Sequence, residues 1–251
     1  MSAPALEARG LVRRFGGLVA TDDVSFAIQP GARQALIGPN GAGKTTLINL
    51  LTGVVKPSGG AVLLQGDDVT ALSPHRRVRR GLARTFQINQ LFPDLSPAET
   101  LGLAISERNR SGGDFWRVAG GKAAIVAEID ELLTRFGLDS AMDLPTRELP
   151  YGKQRLLEIA LALACRPKVL LLDEPAAGVP EDERHDILAA LAALPADVAI
   201  LLIEHDMDLV FNFATRISVL VAGRLLCEGE PKAIAADARV RAVYLGDEAR
   251  G

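Results

Sequence analysis

One octapeptide carries the clearest chemistry in the chain. Gly38-Pro39-Asn40-Gly41-Ala42-Gly43-Lys44-Thr45 fits the pattern G-x-x-x-x-G-K-[ST] in full. Glycines let successive backbone N–H groups turn inward around phosphate oxygens. A helix opening at Lys44 adds the positive end of its dipole. The Lys44 ammonium supplies a point charge for the β- and γ-phosphates, and the Thr45 hydroxyl is a candidate ligand for Mg²⁺. Thr46, the next residue, is grouped with the binding segment. An accidental glycine turn is the competing reading. The apolar stretch before it, residues 32–37, and the helical stretch after it, residues 44–51, argue against that.

A second constellation lies far downstream. Val169-Leu170-Leu171-Leu172-Asp173-Glu174-Pro175 is an apolar strand ending in two carboxylates. A carboxylate at the C-terminal end of a strand beside a phosphate loop can hold Mg²⁺, directly or through water. The next carboxylate points to the other side and can polarise an attacking water as general base. Asp173 is therefore the metal-side candidate and Glu174 the base. Alone, such a string can equally be strand-end solvation; the complete phosphate loop upstream gives it weight. His205 also follows an apolar strand, so it should emerge on the same sheet edge. His75 and His185 have no such context and read as surface residues.

Bringing these groups together calls for a parallel sheet, and the chain has the material for one. Its 251 residues suit one large α/β domain with a small subdomain. Hydrophobic residues make up 48%, charged residues 24%, and the net charge is −3, which argues against disorder and against a general pull toward nucleic acid. Cys165 and Cys227 form neither a disulfide framework nor a CxxC pair and are expected buried and reduced. Mean hydropathy is +0.18. Yet the tight apolar runs 169–172 and 198–203 fall far short of the ~20 residues of a spanning helix. They read as buried parallel strands. The N-terminal segment has no apolar signal region, so the chain is expected in the cytoplasm unless a partner carries it to a surface.

Along the chain, residues 5–14 and 18–28 read as strands joined at Gly16-Gly17. Residues 32–37 form a third strand. Gly53 closes the helix at 44–51, and residues 57–60 form a loop before a strand at 61–65. Ser73 reads as a helix N-cap with Pro74 at the first position. Residues 96–165 change character, with Ile125, Ile129, Leu132, Leu133 and Phe136 at helical spacing. They read as a helical subdomain inserted in the core, and residues 111–121 within it as a glycine-rich loop. From residue 168 strands and helices alternate again. The basic run His75-Arg76-Arg77-Val78-Arg79-Arg80 suggests either nucleic acid or a solvated helix face. The net negative charge favours the solvated face.

In this order the motifs resemble the nucleotide-binding subunit of ATP-binding cassette (ABC) transporters, over about residues 6–246. The resemblance implies an α/β fold: a P-loop NTPase core with an antiparallel β subdomain and an inserted α-helical subdomain, in one 1–251 domain. It places Phe15 where the family stacks an aromatic on adenine; packing in the Gly16-Gly17 turn is the alternative. It places Gln87, in Arg84-Thr85-Phe86-Gln87, in the loop that senses Mg²⁺, water and the partner protein. Leu149-Pro150-Tyr151-Gly152-Lys153-Gln154 takes the signature position, residues 176–180 the D-loop position, and His205 that of the γ-phosphate switch. Catalysis would fall to Glu174, His205 and Gln87, and Mg²⁺ binding to Thr45, Gln87 and Asp173. ATP is the implied nucleotide.

A closer resemblance is to the ATPase subunit of branched-chain amino-acid importers. It rests on residues 84–87, 154–160, 174–178, 202–207 and 242–246. Urea-import and lipopolysaccharide-export ATPases look similar. A non-transport ABC ATPase is a weaker alternative, because the chain has neither long coiled coils nor zinc cysteines nor a second cassette. The resemblance implies a homodimer or a heterodimer with a similar subunit, because one phosphate loop and one signature belong to different half-sites. It also implies permease subunits, a solute-binding protein acting indirectly, no nucleic acid, and a peripheral place on the cytoplasmic face of the inner membrane. Residues 88–100, with Leu91 and Phe92, fall where a coupling helix docks in the family; ordinary core packing is the alternative.

The chain departs from the general family pattern in two places. Pro150 stands where the signature usually has serine, and it offers neither hydroxyl nor N–H. The amides of Tyr151 and Gly152, the helix dipole and the Lys153 charge are expected to keep anion binding. Val179-Pro180 replaces the usual leucine and aspartate of the D-loop, which puts that loop's usual contact across the dimer in doubt.

Overall fold

The computed structural model describes residues 3–85, 91–109 and 119–248. The elements run β1 (Leu6–Phe15), β2 (Leu18–Ile28), β3 (Arg33–Ile37), α1 (Lys44–Thr52), β4 (Gly59–Leu64), β5 (Asp67–Asp68), α2 (Pro74–Val78) and β6 (Leu82–Arg84). Then come α3 (Pro97–Arg108), α4 (Ala119–Arg135), α5 (Tyr151–Ala164), β7 (Val169–Asp173), α6 (Glu181–Ala192) and β8 (Ala199–Ile203). Last are α7 (Met207–Phe213), β9 (Arg216–Val221), β10 (Arg224–Gly229), α8 (Pro231–Ala236) and α9 (Ala238–Glu248). The chain divides into two compact units, Met1–Arg84 with Lys168–Glu174 and Ala196–Gly251, and Thr85–Pro167 with Pro175–Pro195.

The first unit holds both sheets. An antiparallel sheet has the order β2-β1-β4-β5, and a larger one has the order β10-β9-β3-β8-β7-β6. In the larger sheet β9, β3, β8, β7 and β6 run parallel, and only β10 is antiparallel. Every residue of β7 and β8 is buried, as a parallel strand covered on both faces requires. Alternation along β3 separates two cores. Leu36 joins Leu47, Ile48, Leu50 and Leu51 of α1 and the inner face of the antiparallel sheet. Ala35 and Ile37 point the other way, into a cluster with Val210, Ile217, Val219, Ile234 and Val240. Each fully buried aliphatic of α1 contributes about 2 kcal/mol.

The second unit is helical. It extends beyond the expected 96–165 stretch to take in residues 85–95 and 175–195. Ile129, Leu132 and Leu133 are buried along one face of α4, as their spacing predicts, Ile125 is half-buried, and Phe136 is buried just past the helix end. Ser96 and Glu99 cap α3 reciprocally, the Ser96 N–H donating to Glu99 at 2.9 Å and the Glu99 N–H to Ser96 at 3.3 Å. Arg108 at the end of α3 donates to Glu128 of α4 at 2.6 and 2.8 Å, and to the Ala164 carbonyl of α5 at 2.6 Å. One side chain thus ties three helices.

The basic run is not a uniform solvated face. His75, Arg76, Arg79 and Arg80 are exposed, but Arg77 is 1% exposed. Its guanidinium donates to the carbonyls of Leu50 (2.8 Å), Leu51 (2.5 Å), Thr70 (2.9 Å) and Leu72 (3.2 Å). Two of these belong to the last turn of α1, where helix geometry leaves carbonyls unpaired and the dipole favours a cation. Helix α2 is only five residues long, and Ser73 caps it by position without a side-chain bond. The cysteines are free and half-buried rather than buried.

Candidate functional site

The parallel register assembles the site. Leu36 of β3 pairs with Ile203 of β8, and Ile203 pairs with Asp173 of β7. The three adjacent strands therefore end level. The phosphate loop leaves β3, Glu174 follows β7, and Glu204-His205 follows β8, all at the carboxyl edge where open α/β sheets bind ligands.

Within the loop, backbone space fixes the residue types. A Cβ on Gly38 would lie 2.1 Å from the Leu220 carbonyl oxygen, and one on Gly43 would lie 2.4 Å from that of Ala20. Gly43 also has φ of 100°, the left-handed conformation that starts α1. Asn40, Gly41 and Thr45 are exposed, Pro39, Lys44 and Thr46 half-buried, and Ala42 buried. The Lys44 Nζ donates to the carbonyls of Gly38 (2.5 Å) and Pro39 (3.1 Å). Burial pushes its pKa below the ordinary lysine value, while the charges of Glu174 and Asp173 oppose the shift. The ammonium is thus partly desolvated and held at the mouth of the loop.

The two carboxylates sit in different surroundings. Asp173 is 3% exposed and its Oδ2 accepts from Arg84 Nη2 at 2.6 Å. Glu174 is half-buried and has φ of 48°, a left-handed conformation that costs a non-glycine residue about 1 kcal/mol. Its N–H donates to the Ile203 carbonyl at 2.9 Å, which fixes the turn. Backbone strain held in place at a strand end is characteristic of functional positions. The exposed His205 ring has Nδ1 3.8 Å from Glu174 Oε1 and 3.8 Å from Glu204 Oε2. Glu204 is 1% exposed and accepts the His205 N–H at 3.1 Å.

Among the described residues, no group of three or more His, Cys, Asp or Glu could hold a metal by itself. One buried carboxylate, Asp173, and one exposed hydroxyl, Thr45, form the sparse oxygen set that suits Mg²⁺ arriving with phosphates. The residues fit that ion in chemistry. Gln87 lies outside the described residues. Phe15 is 45% exposed rather than packed in its turn, and the Arg13 guanidinium covers its ring at 4.4 Å from the centroid.

The signature segment lies in the second unit. Pro150 occupies the N-cap of α5, so the helix opens at Tyr151. The Gly152 N–H, expected to face an anion, donates to Glu183 Oε2 of α6 at 2.9 Å. Lys153 reaches the Gly137 carbonyl at 2.6 Å. Tyr151 donates to the Ala177 carbonyl at 3.4 Å, and the Arg155 guanidinium lies 5.1 Å from its ring centroid. Pro180 is the N-cap of α6. Phe92 is exposed and Leu91 half-buried.

Sequence reasoning missed several participants. Arg84 was visible only as part of a motif, and Glu183 carried no signal at all. Tyr244, in the terminal 242–246 motif, packs its ring on the cluster that contains Ile37. Burial pushes its pKa up to about 12, against a backbone hydrogen bond from Gly38. The C-terminal helix therefore touches the start of the phosphate loop.

A phosphate loop on a parallel strand, flanked by strand-end carboxylates, defines a P-loop nucleotide-binding ATPase fold. The sequence matches the ABC transporter family over residues 21–177, and a family described as branched-chain amino acid ATP-binding cassette transporter over residues 224–250. The chain belongs to the ABC transporter ATP-binding family and is an ABC ATPase. It is 40% identical to the high-affinity branched-chain amino acid transport ATP-binding protein BraF of Pseudomonas aeruginosa, covering 98% of this chain and 100% of that protein. Identity to the corresponding LivG protein of Escherichia coli is 38%, covering 98% and 100%. A nucleotide-free ATP-binding cassette from an ABC transporter superposes with a TM-score of 0.83 at 30% identity, over 96% of this chain and 98% of that one. An ATP-binding cassette of an ABC transporter in its ADP conformation gives 0.82 at 30% identity, over 98% and 100%. No helix among the described residues is long and apolar enough to cross a membrane.

Proposed function

We propose that the chain is the ATP-hydrolysing subunit of an importer for branched-chain amino acids or similar small polar solutes. It would work as a dimer of cassettes, bound to permease subunits on the cytoplasmic face of the inner membrane and served by a solute-binding protein. The observation that carries the reading is the level ending of β3, β8 and β7, which gathers the phosphate loop, Asp173, Glu174 and His205 on one edge. The match of residues 224–250 to the branched-chain subgroup supports the cargo class.

In this reading the amides of residues 38–45 surround the β- and γ-phosphates, and Lys44 exchanges the carbonyls of Gly38 and Pro39 for phosphate oxygens. Phe15 meets the adenine. Thr45, Asp173 and Gln87 would hold Mg²⁺, which when bound would supply positive charge against the phosphate oxygens. Glu174 takes a proton from the attacking water, and His205, beside it, contacts the γ-phosphate. The Tyr151 amide of a partner cassette faces the same phosphate, and the Gly152 amide and Lys153 join it once they leave Glu183 Oε2 and the Gly137 carbonyl. ATP closes the pair and hydrolysis reopens it, a ligand-driven population shift.

The test has two parts. Glu174→Gln should lower ATP turnover by at least ~100-fold while nucleotide binding persists; retained turnover moves the base elsewhere. Co-purification with the permease subunits, then ATP-dependent leucine uptake in vesicles, tests the cargo. Association with ribosomes or DNA instead would overturn the reading.

A further inference from the structure

Arg84 joins two elements of the site. Its Nη2 meets Asp173 Oδ2 at 2.6 Å, and its Nη1 meets Asn49 Oδ1 at 2.7 Å. Its side chain is 11% exposed and that of Asp173 4%. The backbone positions explain the reach. Arg84 ends β6 and pairs with Leu171 of the parallel β7, two residues before Asp173. Asn49 lies on α1 four residues after Thr45, hence on the same helix face. One planar fork therefore spans the strand that carries the candidate metal carboxylate and the helix that carries the phosphate loop. Lysine cannot do this, because its single ammonium has no fixed two-pronged geometry.

We infer that Arg84 is a positioning residue. It holds the Asp173 carboxylate in one orientation relative to α1, ready for the Mg²⁺ that accompanies the nucleotide. The inference rests on the reading of Asp173 as the metal-side acid. A buried ion pair often adds little to stability over apolar residues of similar volume. The pair is therefore explained better by what it orients than by what it stabilises. Outer partners that orient metal ligands usually matter 10–100-fold in metal affinity.

The test uses the full chain and a fluorescent probe, methylanthraniloyl-ATP, titrated first in EDTA and then with increasing Mg²⁺. Arg84→Met should leave affinity in EDTA within ~2-fold of the parent while raising the Mg²⁺ concentration for half-effect by ~10-fold or more. Arg84→Lys should fall between, and Asn49→Ala should shift in the same direction by less. An unchanged Mg²⁺ midpoint in folded Arg84→Met, or a lower one, overturns the inference and leaves a structural ion pair or a competitor for the metal. If Arg84→Met does not fold, Arg84→Lys and Asn49→Ala decide by the same midpoint. If the parent chain itself shows no Mg²⁺ dependence, the fault lies with the assignment of Asp173 and not with Arg84.

Discussion

Arg77→Met is a sharp test of how the phosphate-loop helix is anchored. The arginine is 1% exposed and donates to four carbonyls. The Leu50 carbonyl keeps the Gly53 N–H at 3.2 Å after the change. The carbonyls of Thr70 and Leu72 are bonded in a partly buried setting, where water can replace the guanidinium. The Leu51 carbonyl is left buried without the charged donor. Losing a charge-assisted bond there costs about 2–3 kcal/mol, and the poorer bonds at the other three carbonyls add about 1–2 kcal/mol more. Methionine needs no hydration, and relief of the burial that depresses the Arg77 pKa returns part of this. The net expectation is a loss of about 3 kcal/mol. For a chain of this length that lowers Tm by roughly 6–12 °C. Thermal unfolding followed by circular dichroism measures it directly. A shift under ~2 °C, or a gain, would refute the claim that the carbonyls depend on Arg77.

The other predictions concern the signature, its cap and the helical unit. Pro150→Ser restores a hydroxyl and an N–H at the α5 N-terminus and should raise the ATP turnover number; an unchanged value means that those donors are not limiting. Glu183→Ala removes the carboxylate on the Gly152 amide, so ATP-driven dimerisation should need several-fold less ATP. The same ATP requirement in light scattering would mean that Glu183 leaves the amide at no cost. The hydrogen bond from Arg108 holds the Glu128 pKa below the ordinary 4.5, against desolvation. A depressed carboxylate stabilises the fold above its unfolded value and loses that contribution as pH falls through its folded value. Melting temperature should therefore drop below pH ~4.5, and Glu128→Gln should flatten that drop; parallel curves would rule out Glu128 as the source.

The sequence by itself determined the parts whose chemistry is local. The phosphate loop was legible because its pattern is contiguous and partly set by local backbone: Gly43 is left-handed and Lys44 opens a helix. Strands β7 and β8 were legible because a doubly covered strand is apolar along nearly its whole length, with Asp173 only at the end of β7. The α4 face was legible through its period. Tertiary structure decided the rest. Arg77 looked like one arginine among four, and only the approach of the α1 C-terminus made it a buried cap. The Gly152 amide looked open until a glutamate 31 residues away in sequence met it. Arg84, Asn49 and Asp173 are scattered through the chain, and parallel pairing of β6 with β7 made them neighbours. The physical reason is the same in each case. A side chain's charge is written in its type, but the dielectric and the partner that define its role arrive only when distant backbone is packed beside it.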